Sequence, residues 1–222
     1  MLRMKPLKEI ALTADRPVRQ SDAVVENMSR VVCSLLVKGF RGKLRTTDFW
    51  KLSIRINTRD PSADGKTLSG VLIACRSFPT EDFLGWVKFD RQRFMLEFVS
   101  ATLGEVLRAR RMDDTIVEEA RKYVEEQNFV QIFIGKSEFA SPAGLRARIE
   151  CEQEMDVARI FVSLNLVDGR QHRVLVSEST PDEFVIQSFF GKIIWDELPE
   201  LQKVDGTRIP IALTKEELTT RQ

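Results

Sequence analysis

The sequence has few of the residues on which metal and redox sites depend. Its 222 residues include three cysteines and one histidine. Cys33, Cys75 and Cys151 lie 42 and 76 residues apart, which fits neither a zinc site nor the dense disulfide framework of a small secreted domain. We therefore expect three reduced, buried thiols in a cytoplasmic protein, and no metal.

Long hydrophobic runs are also missing. An uninterrupted apolar stretch such as 71–75 is far shorter than the roughly 20 residues needed to span a bilayer. The N-terminus is basic, but Pro6, Lys8 and Glu9 interrupt any apolar region, so we predict no signal peptide. Because 43% of the residues are hydrophobic, the chain can bury a full core as one large domain or two small ones. We expect no membrane partner.

The short motifs of common enzyme families are absent as well. The chain has no G-x-G-x-x-G, G-x-S-x-G, H-E-x-x-H or paired C-x-x-C motif. Residues 39–43 (GFRGK) faintly resemble a phosphate-binding loop, but the glycine spacing is too short, and Leu44 stands where Ser or Thr would hold magnesium. We predict no catalytic residues and no cofactor.

Charge, by contrast, is abundant and unevenly distributed. Residues 1–111 carry 21 Lys and Arg against 12 Asp and Glu, whereas residues 112–222 carry 13 against 21. The net charges are therefore +9 and −8 in a chain whose total is +1. This predicts a basic α+β half, 1–111, and an acidic α+β half, 112–222. Such halves attract each other, or each presents a surface to a charged partner.

Hydrophobic periodicity predicts an α+β protein, mainly antiparallel sheet with flanking helices. A 3.6-residue period predicts helices over 22–38 and 113–127, and favours a helix over a strand for 91–111. A period of two, or a short apolar run, predicts strands over 49–59, 68–77, 145–153, 157–167 and 170–178, and a buried strand over 129–134. Residues 184–190 fit a strand or a short helix.

Turn residues indicate how these segments connect. The stretch 60–65 predicts a hairpin between 49–59 and 68–77, and Asp168 with Gly169 predicts a second hairpin between 157–167 and 170–178. The stretch 137–144, which contains Pro142, is the predicted linker between the halves. These two strand–turn–strand blocks also match in order and chemistry, which suggests an internal duplication that gives two related halves packed together.

The second block carries a resemblance to a known group. Asp168-Gly169-Arg170-Gln171, followed by Val174, Val176, the segment 184–188 (FVIQS) and Gly191, resembles the strand pattern of bacterial YbjN-like and class I type III secretion-chaperone-like domains. The resemblance covers residues 113–201. It implies a small α+β protein that binds other proteins through its sheet and helices and has no catalytic site.

A basic stretch in the first half is the best candidate binding surface. Alternation places Lys51, Arg55 and Arg59 on one exposed face of a strand, where cations repeat at ~7 Å and can contact phosphates. Arg41, Lys43 and Arg45 extend this patch, and Phe40, Phe49 and Trp50 lie among the cations. The same cations can instead meet the acidic half, a protein partner or solvent.

Two further features are candidate reaction centres, a row of carboxylates and the single histidine. Glu150, Glu152, Glu154 and Asp156 share a face of a predicted strand, which suggests either a calcium or magnesium site or, as we favour, a salt-bridged solvated face. His172 is expected opposite Asn165, with Ser163 as its neighbour on the same face, an arrangement that allows a general base beside a nucleophile. We favour an exposed hairpin histidine, because no orienting acid accompanies it.

We therefore predict a non-enzymatic, cytoplasmic and bacterial protein-binding module of the chaperone, regulator or toxin-neutralising type, which acts through charged sheet and helix surfaces. Another protein is the expected partner, and the chain is compatible with a homo-oligomer. The first alternative is nucleic-acid or other polyanion binding through the basic strand 51–59. The second is a hydrolase-type enzyme without a recognisable motif, which would use His172 or the carboxylate strand.

Overall fold

A computed structural model describes residues 4–15, 18–166, 169–196 and 198–213. Helices and strands are both well represented and most sheet pairings are antiparallel, which confirms the α+β class. The chain divides into two compact units, Met1–Gln131 and Ile132–Gln222. None of the helices within the described ranges is both long and apolar enough to cross a membrane.

The first unit is built around a short parallel sheet. Its elements are, in chain order, β1 (Lys5–Pro6), β2 (Glu9–Ala14), α1 (Gln20–Gly39), β3 (Arg45–Thr46), β4 (Lys51–Ile56), β5 (Thr67–Leu68), β6 (Val71–Arg76), α2 (Thr80–Gly85), α3 (Lys88–Ala109) and α4 (Thr115–Glu126). The strand order is β2-β4-β6-β5, in which β2, β4 and β6 are parallel. The helix α1 is the crossover between β2 and β4, as a parallel pair requires.

One predicted hairpin is wrong. The segments 49–59 and 68–77 contain β4 and β6, which lie side by side but run parallel. After β4 the chain passes through a 3₁₀ turn at Pro61–Ala63 and forms the short strand β5. It then reverses direction into β6, which pairs antiparallel with β5. The reversal occurs at Ser69 and Gly70, between β5 and β6, and both residues have a positive φ. A two-residue turn of that kind is the usual hairpin connection.

The predicted helices are confirmed, and their packing moves the boundary between the units. The segment 91–111 is helical up to Ala109, where α3 ends, and 113–127 contains α4. α4 packs on α1, where Gly39 and Ala120 bring the two backbones close together. The acidic α4 therefore belongs to the first unit, and the division falls after Gln131 rather than at the charge boundary between 111 and 112.

The second unit contains a larger antiparallel sheet. Its elements are β7 (Gln131–Ile134), β8 (Phe139–Ala140), β9 (Arg146–Gln153), β10 (Ala158–Asn165), β11 (Gln171–Ser179), α5 (Glu183–Ser188), β12 (Lys192–Trp195), β13 (Pro199–Gln202) and β14 (Arg208–Pro210). The strand order is β11-β10-β9-β7, and β8 also pairs with β9. The predicted hairpin of β10 and β11 is confirmed. Asp168 in its turn lies outside the described residues.

The core of the second unit lies on one face of this sheet. Ile149, Ile160 and Val162 alternate inward along β9 and β10 and are buried. Ile186 of α5 and Leu201 of the three-stranded sheet β12-β13-β14 cover them. Of the two predictions for 184–190, a strand or a short helix, the helix is confirmed up to Ser188, where α5 ends. The carboxylate of Asp182 caps this helix, because it accepts hydrogen bonds from backbone N–H groups of its first turn.

Three further sequence predictions differ from the structure. The stretch 137–144 is not a linker between the units, because it contains β8, which pairs with β9 inside the second unit. Of the run 129–134, only Gln131–Ile134 forms a strand, and Ile132 and Ile134 in it are exposed rather than buried. The two blocks of the suggested duplication also differ in strand direction, since β4 and β6 are parallel whereas β10 and β11 are antiparallel.

Candidate functional site

Four of the six cations of the basic stretch lie outside β4, beyond its two opposite ends. Arg41, Lys43 and Arg45 follow the C-terminal end of α1 and precede β4, whereas Arg59 comes after the end of β4. Lys43 forms an ion pair with Glu119 of α4 at 3.3 Å.

The cations on β4 itself are only half-exposed. Lys51 forms an ion pair with Glu9, its neighbour on β2. Arg55 is half-buried near the C-terminal end of β4, between β2 and β6. The stretch 41–59 therefore does not present one continuous track of exposed positive charge.

A polar cleft of about 410 Å³ lies where β2 and β4 end, the edge at which parallel sheets bind ligands. The backbone N–H of Arg59 and the hydroxyl of Thr58 each donate to Asp15 at 2.8 Å, and these hydrogen bonds hold the pKa of Asp15 below its usual value. The hydroxyl of Thr80 donates to the buried Asp22 at 2.8 Å. Both carboxylates thus accept hydrogen bonds from the protein itself.

Only two of the four carboxylates that the sequence places on a strand lie on it, and both are salt-bridged. Glu150 and Glu152 lie on β9, but this strand ends at Gln153, before Glu154 and Asp156. The guanidinium of Arg173 contacts Glu150 at 3.1 Å and Glu152 at 2.8 Å. No group of three potential metal-ligating His, Cys, Asp or Glu side chains occurs among the described residues. The face is held together by cross-strand ion pairs.

The predicted register at His172 is wrong by one residue. His172 lies opposite Leu164, and Arg173 lies opposite Ser163. The difference arises because Leu166 and Arg170 close the turn, so its loop is longer than two residues. Since directly opposed residues share a face, His172 and Ser163 lie on opposite faces of the sheet. The suggested pair of base and nucleophile is therefore not assembled.

The three cysteines are free, as expected. Cys33 and Cys151 are buried, and burial raises the pKa of each thiol to about 12. Cys75 is half-buried, and burial also raises the pKa of its thiol. Because the thiolate is the reactive form, the buried thiols act as small apolar core residues.

The edge strand β7 provides the most distinctive surface. It is the terminal strand of its sheet, so one side of its backbone has no strand partner within the described residues. Ile132 and Ile134 are 52% and 58% exposed, and β7 contains neither a charged residue nor a proline. Natural proteins usually protect an exposed edge with charge, proline or a bulge inside the strand.

An apolar groove of about 370 Å³ lies beside this edge strand. Phe133, Phe139 and Phe190 line it together with Ile134 and Lys136. Gly135 permits the close packing, because a side chain there would meet the Ile149 carbonyl at 3.0 Å and the Phe190 ring at 3.3 Å. Gly135 also donates its N–H to Ile149 at 2.8 Å, which fixes the strand against β9.

Compared with protein-family models, with curated proteins and with solved structures, the chain shows no match.

The groove was not predicted from the sequence, which indicated a wholly buried strand at 129–134. For the exposed face of β7, the available signal was the pair Ile132 and Ile134, two residues apart, which alternation places on the face opposite Gln131 and Phe133.

Proposed function

We propose that this protein is a non-enzymatic protein-binding module whose second unit binds an extended segment of a partner along β7. The observation that carries the proposal is the open, uncharged edge of β7 beside an apolar groove. In this mode, main-chain hydrogen bonds to the edge strand supply affinity, and pockets for alternate side chains supply specificity.

The groove supports this proposal by its size and lining. Its volume of about 370 Å³ can receive apolar side chains of a bound strand, and the rings of Phe133, Phe139 and Phe190 would contact them. Chaperones, regulators and toxin-neutralising proteins all need such a surface, and the resemblance of 113–201 to secretion-chaperone-like domains points to the same class. The three free thiols support a reducing compartment such as the cytoplasm of a bacterium.

The test selects a random peptide library, displayed on phage, on the full-length protein. The affinity of the enriched peptides is then measured by fluorescence polarisation with the parent protein and with Ile134→Lys. We expect a loss of about tenfold or more, because Ile134 lines the groove and a lysine there would have to lose its hydration as apolar side chains of the peptide enter. N-methylation of alternate peptide amides should also abolish binding, since it removes the main-chain donors.

The matched control is Leu175→Lys. Leu175 is 48% exposed and lies on β11, at the opposite edge of the same sheet. The same change there should leave the affinities unaltered. Peptides that lose affinity with Leu175→Lys and not with Ile134→Lys would place the binding site elsewhere, and failure to enrich any peptide sensitive to Ile134→Lys would refute the proposal.

A further inference from the structure

The groove beside β7 carries positive charge. Lys136 lines the groove and is exposed. Lys192 follows Gly191, which is also a lining residue, and is exposed too. Neither lysine has an ion-pair partner among the residues that the structure describes. Both ammonium groups are therefore available to a bound molecule.

The carboxylates close to the groove are already engaged. Glu138 contacts Arg146 at 3.3 Å and Arg148 at 3.4 Å. On α5, the side chain of Glu183 accepts a hydrogen bond from Gln187 at 3.4 Å, and Asp182 caps the helix. Glu138 is thus paired with two arginines, and the carboxylates at the start of α5 accept hydrogen bonds from their own helix. Lys136 and Lys192, in contrast, have no ion-pair partner among the described residues.

A second copy of the chain is a poor occupant of this edge. Pairing β7 with β7 would join two strands of four residues, which would bury far less than the roughly 1,200 Å² of a stable interface. It would also bring the unpaired lysines of two copies into the same interface, where like charges repel. The occupant is therefore expected to be a different chain with complementary charge.

We infer that the segment bound at β7 is acidic. It is an extended stretch of a partner protein with apolar residues at alternate positions and at least one Asp or Glu that contacts Lys136. Side chains of a strand alternate between two faces, so the apolar residues enter the groove in this arrangement while the carboxylate reaches the ammonium at its rim. This inference rests on the proposed function and adds the chemical nature of the partner.

The experiment uses the peptides enriched on the full-length protein. We expect Asp and Glu to exceed Lys and Arg among them, and Lys136→Glu to weaken their binding by about tenfold. A peptide whose acidic residue is replaced by lysine should bind Lys136→Glu about tenfold better than it binds the parent protein. The control is Lys66→Glu, which makes the same change in net charge at an exposed lysine of the first unit.

The outcomes separate the two proposals. If Ile134→Lys abolishes binding while Lys136→Glu does not change it, or if the enriched peptides show no acidic excess, the site stands and the acidic partner is refuted. If Ile134→Lys has no effect, the edge-strand site itself is refuted. If Lys66→Glu weakens binding as much as Lys136→Glu, net charge rather than the groove determines the preference, which also refutes the inference.

Discussion

At Ser69 and Gly70 the chain reverses within two residues. Their φ angles are 51° and 80°, and a hairpin turn with two positive φ values matches the right-handed twist of the strands that it connects. Gly70 has a second constraint, since a side chain at this position would come within 2.5 Å of the Trp50 ring. The alternation of 49–59 predicts Trp50 on the core side of the strand, but it does not reveal that a glycine must lie against the ring.

Gly70→Ala is expected to lower the free energy of unfolding of the first unit by about 2–4 kcal/mol. The left-handed backbone costs about 1–2 kcal/mol for a residue with a Cβ, and relief of the overlap with Trp50 costs about as much again. Urea unfolding followed by tryptophan fluorescence measures the change.

The control is Gly65→Ala, at a glycine with a φ of 72° and open space around its ideal Cβ. This variant should lower the free energy of unfolding only by the backbone contribution, about 1–2 kcal/mol. Equal losses for the two variants would show that the contact with Trp50 contributes nothing.

At the scale of elements, the sequence predicts where helices and strands form more accurately than it predicts which strands pair and in which direction. The period of 3.6 correctly places α1 and α4, because burial of one apolar face is a local property of the chain. The relative direction of two strands depends on the path of the chain between them. The turn-rich sequence of the Asp60–Gly65 stretch is compatible both with a tight hairpin and with a longer connection through a 3₁₀ turn. The short strands β12, β13 and β14 have too few residues to show a period.

The candidate groove illustrates the same limit. A short apolar run such as 129–134 is compatible with a core strand or an edge strand, and only the strand order of the sheet decides between them. The groove also needs Phe139 and Phe190, which lie far apart in sequence and meet because β8 and the end of α5 flank the same edge. No local pattern predicts that encounter.

The contact between α1 and α4 provides a test at this scale. Ala120 is fully buried, and the ideal Cβ position of Gly39 lies only 2.8 Å from its Cα. Ala120→Leu should lower the free energy of unfolding of the first unit by about 1–3 kcal/mol, because the added atoms force the helices apart. It should also increase amide hydrogen exchange in α4, which mass spectrometry can measure.

The same substitution at an exposed position of α4, Lys122→Leu, controls for helix propensity and should change stability by less than about 0.5 kcal/mol. If Ala120→Leu is as mild as Lys122→Leu, then α4 does not depend on close packing against α1. Its assignment to the first unit would then lack an energetic basis.

For the whole molecule, the position of α4 changes the distribution of charge. With the boundary after Gln131, the first unit carries 23 Lys and Arg against 18 Asp and Glu, and the second carries 11 against 15. The net charges are +5 and −4, about half of the values that the sequence halves suggest. Acidic residues of α4 thus compensate the basic first half inside one unit, as the ion pair of Lys43 with Glu119 shows.

This charge compensation argues against the alternative function, the binding of nucleic acid or another polyanion through the basic strand 51–59. Affinity for a phosphate backbone depends on the number of cations that contact it together, and here Lys51 is paired with Glu9 while the other basic residues are divided between two ends of β4. We expect fluorescein-labelled oligo(dT) to bind with a Kd weaker than about 10⁻⁴ M at about 0.15 M salt. Micromolar binding that falls steeply with salt, and that Arg55→Glu with Arg59→Glu removes while Arg41→Glu with Arg45→Glu does not, would instead make the C-terminal end of β4 a nucleic-acid site.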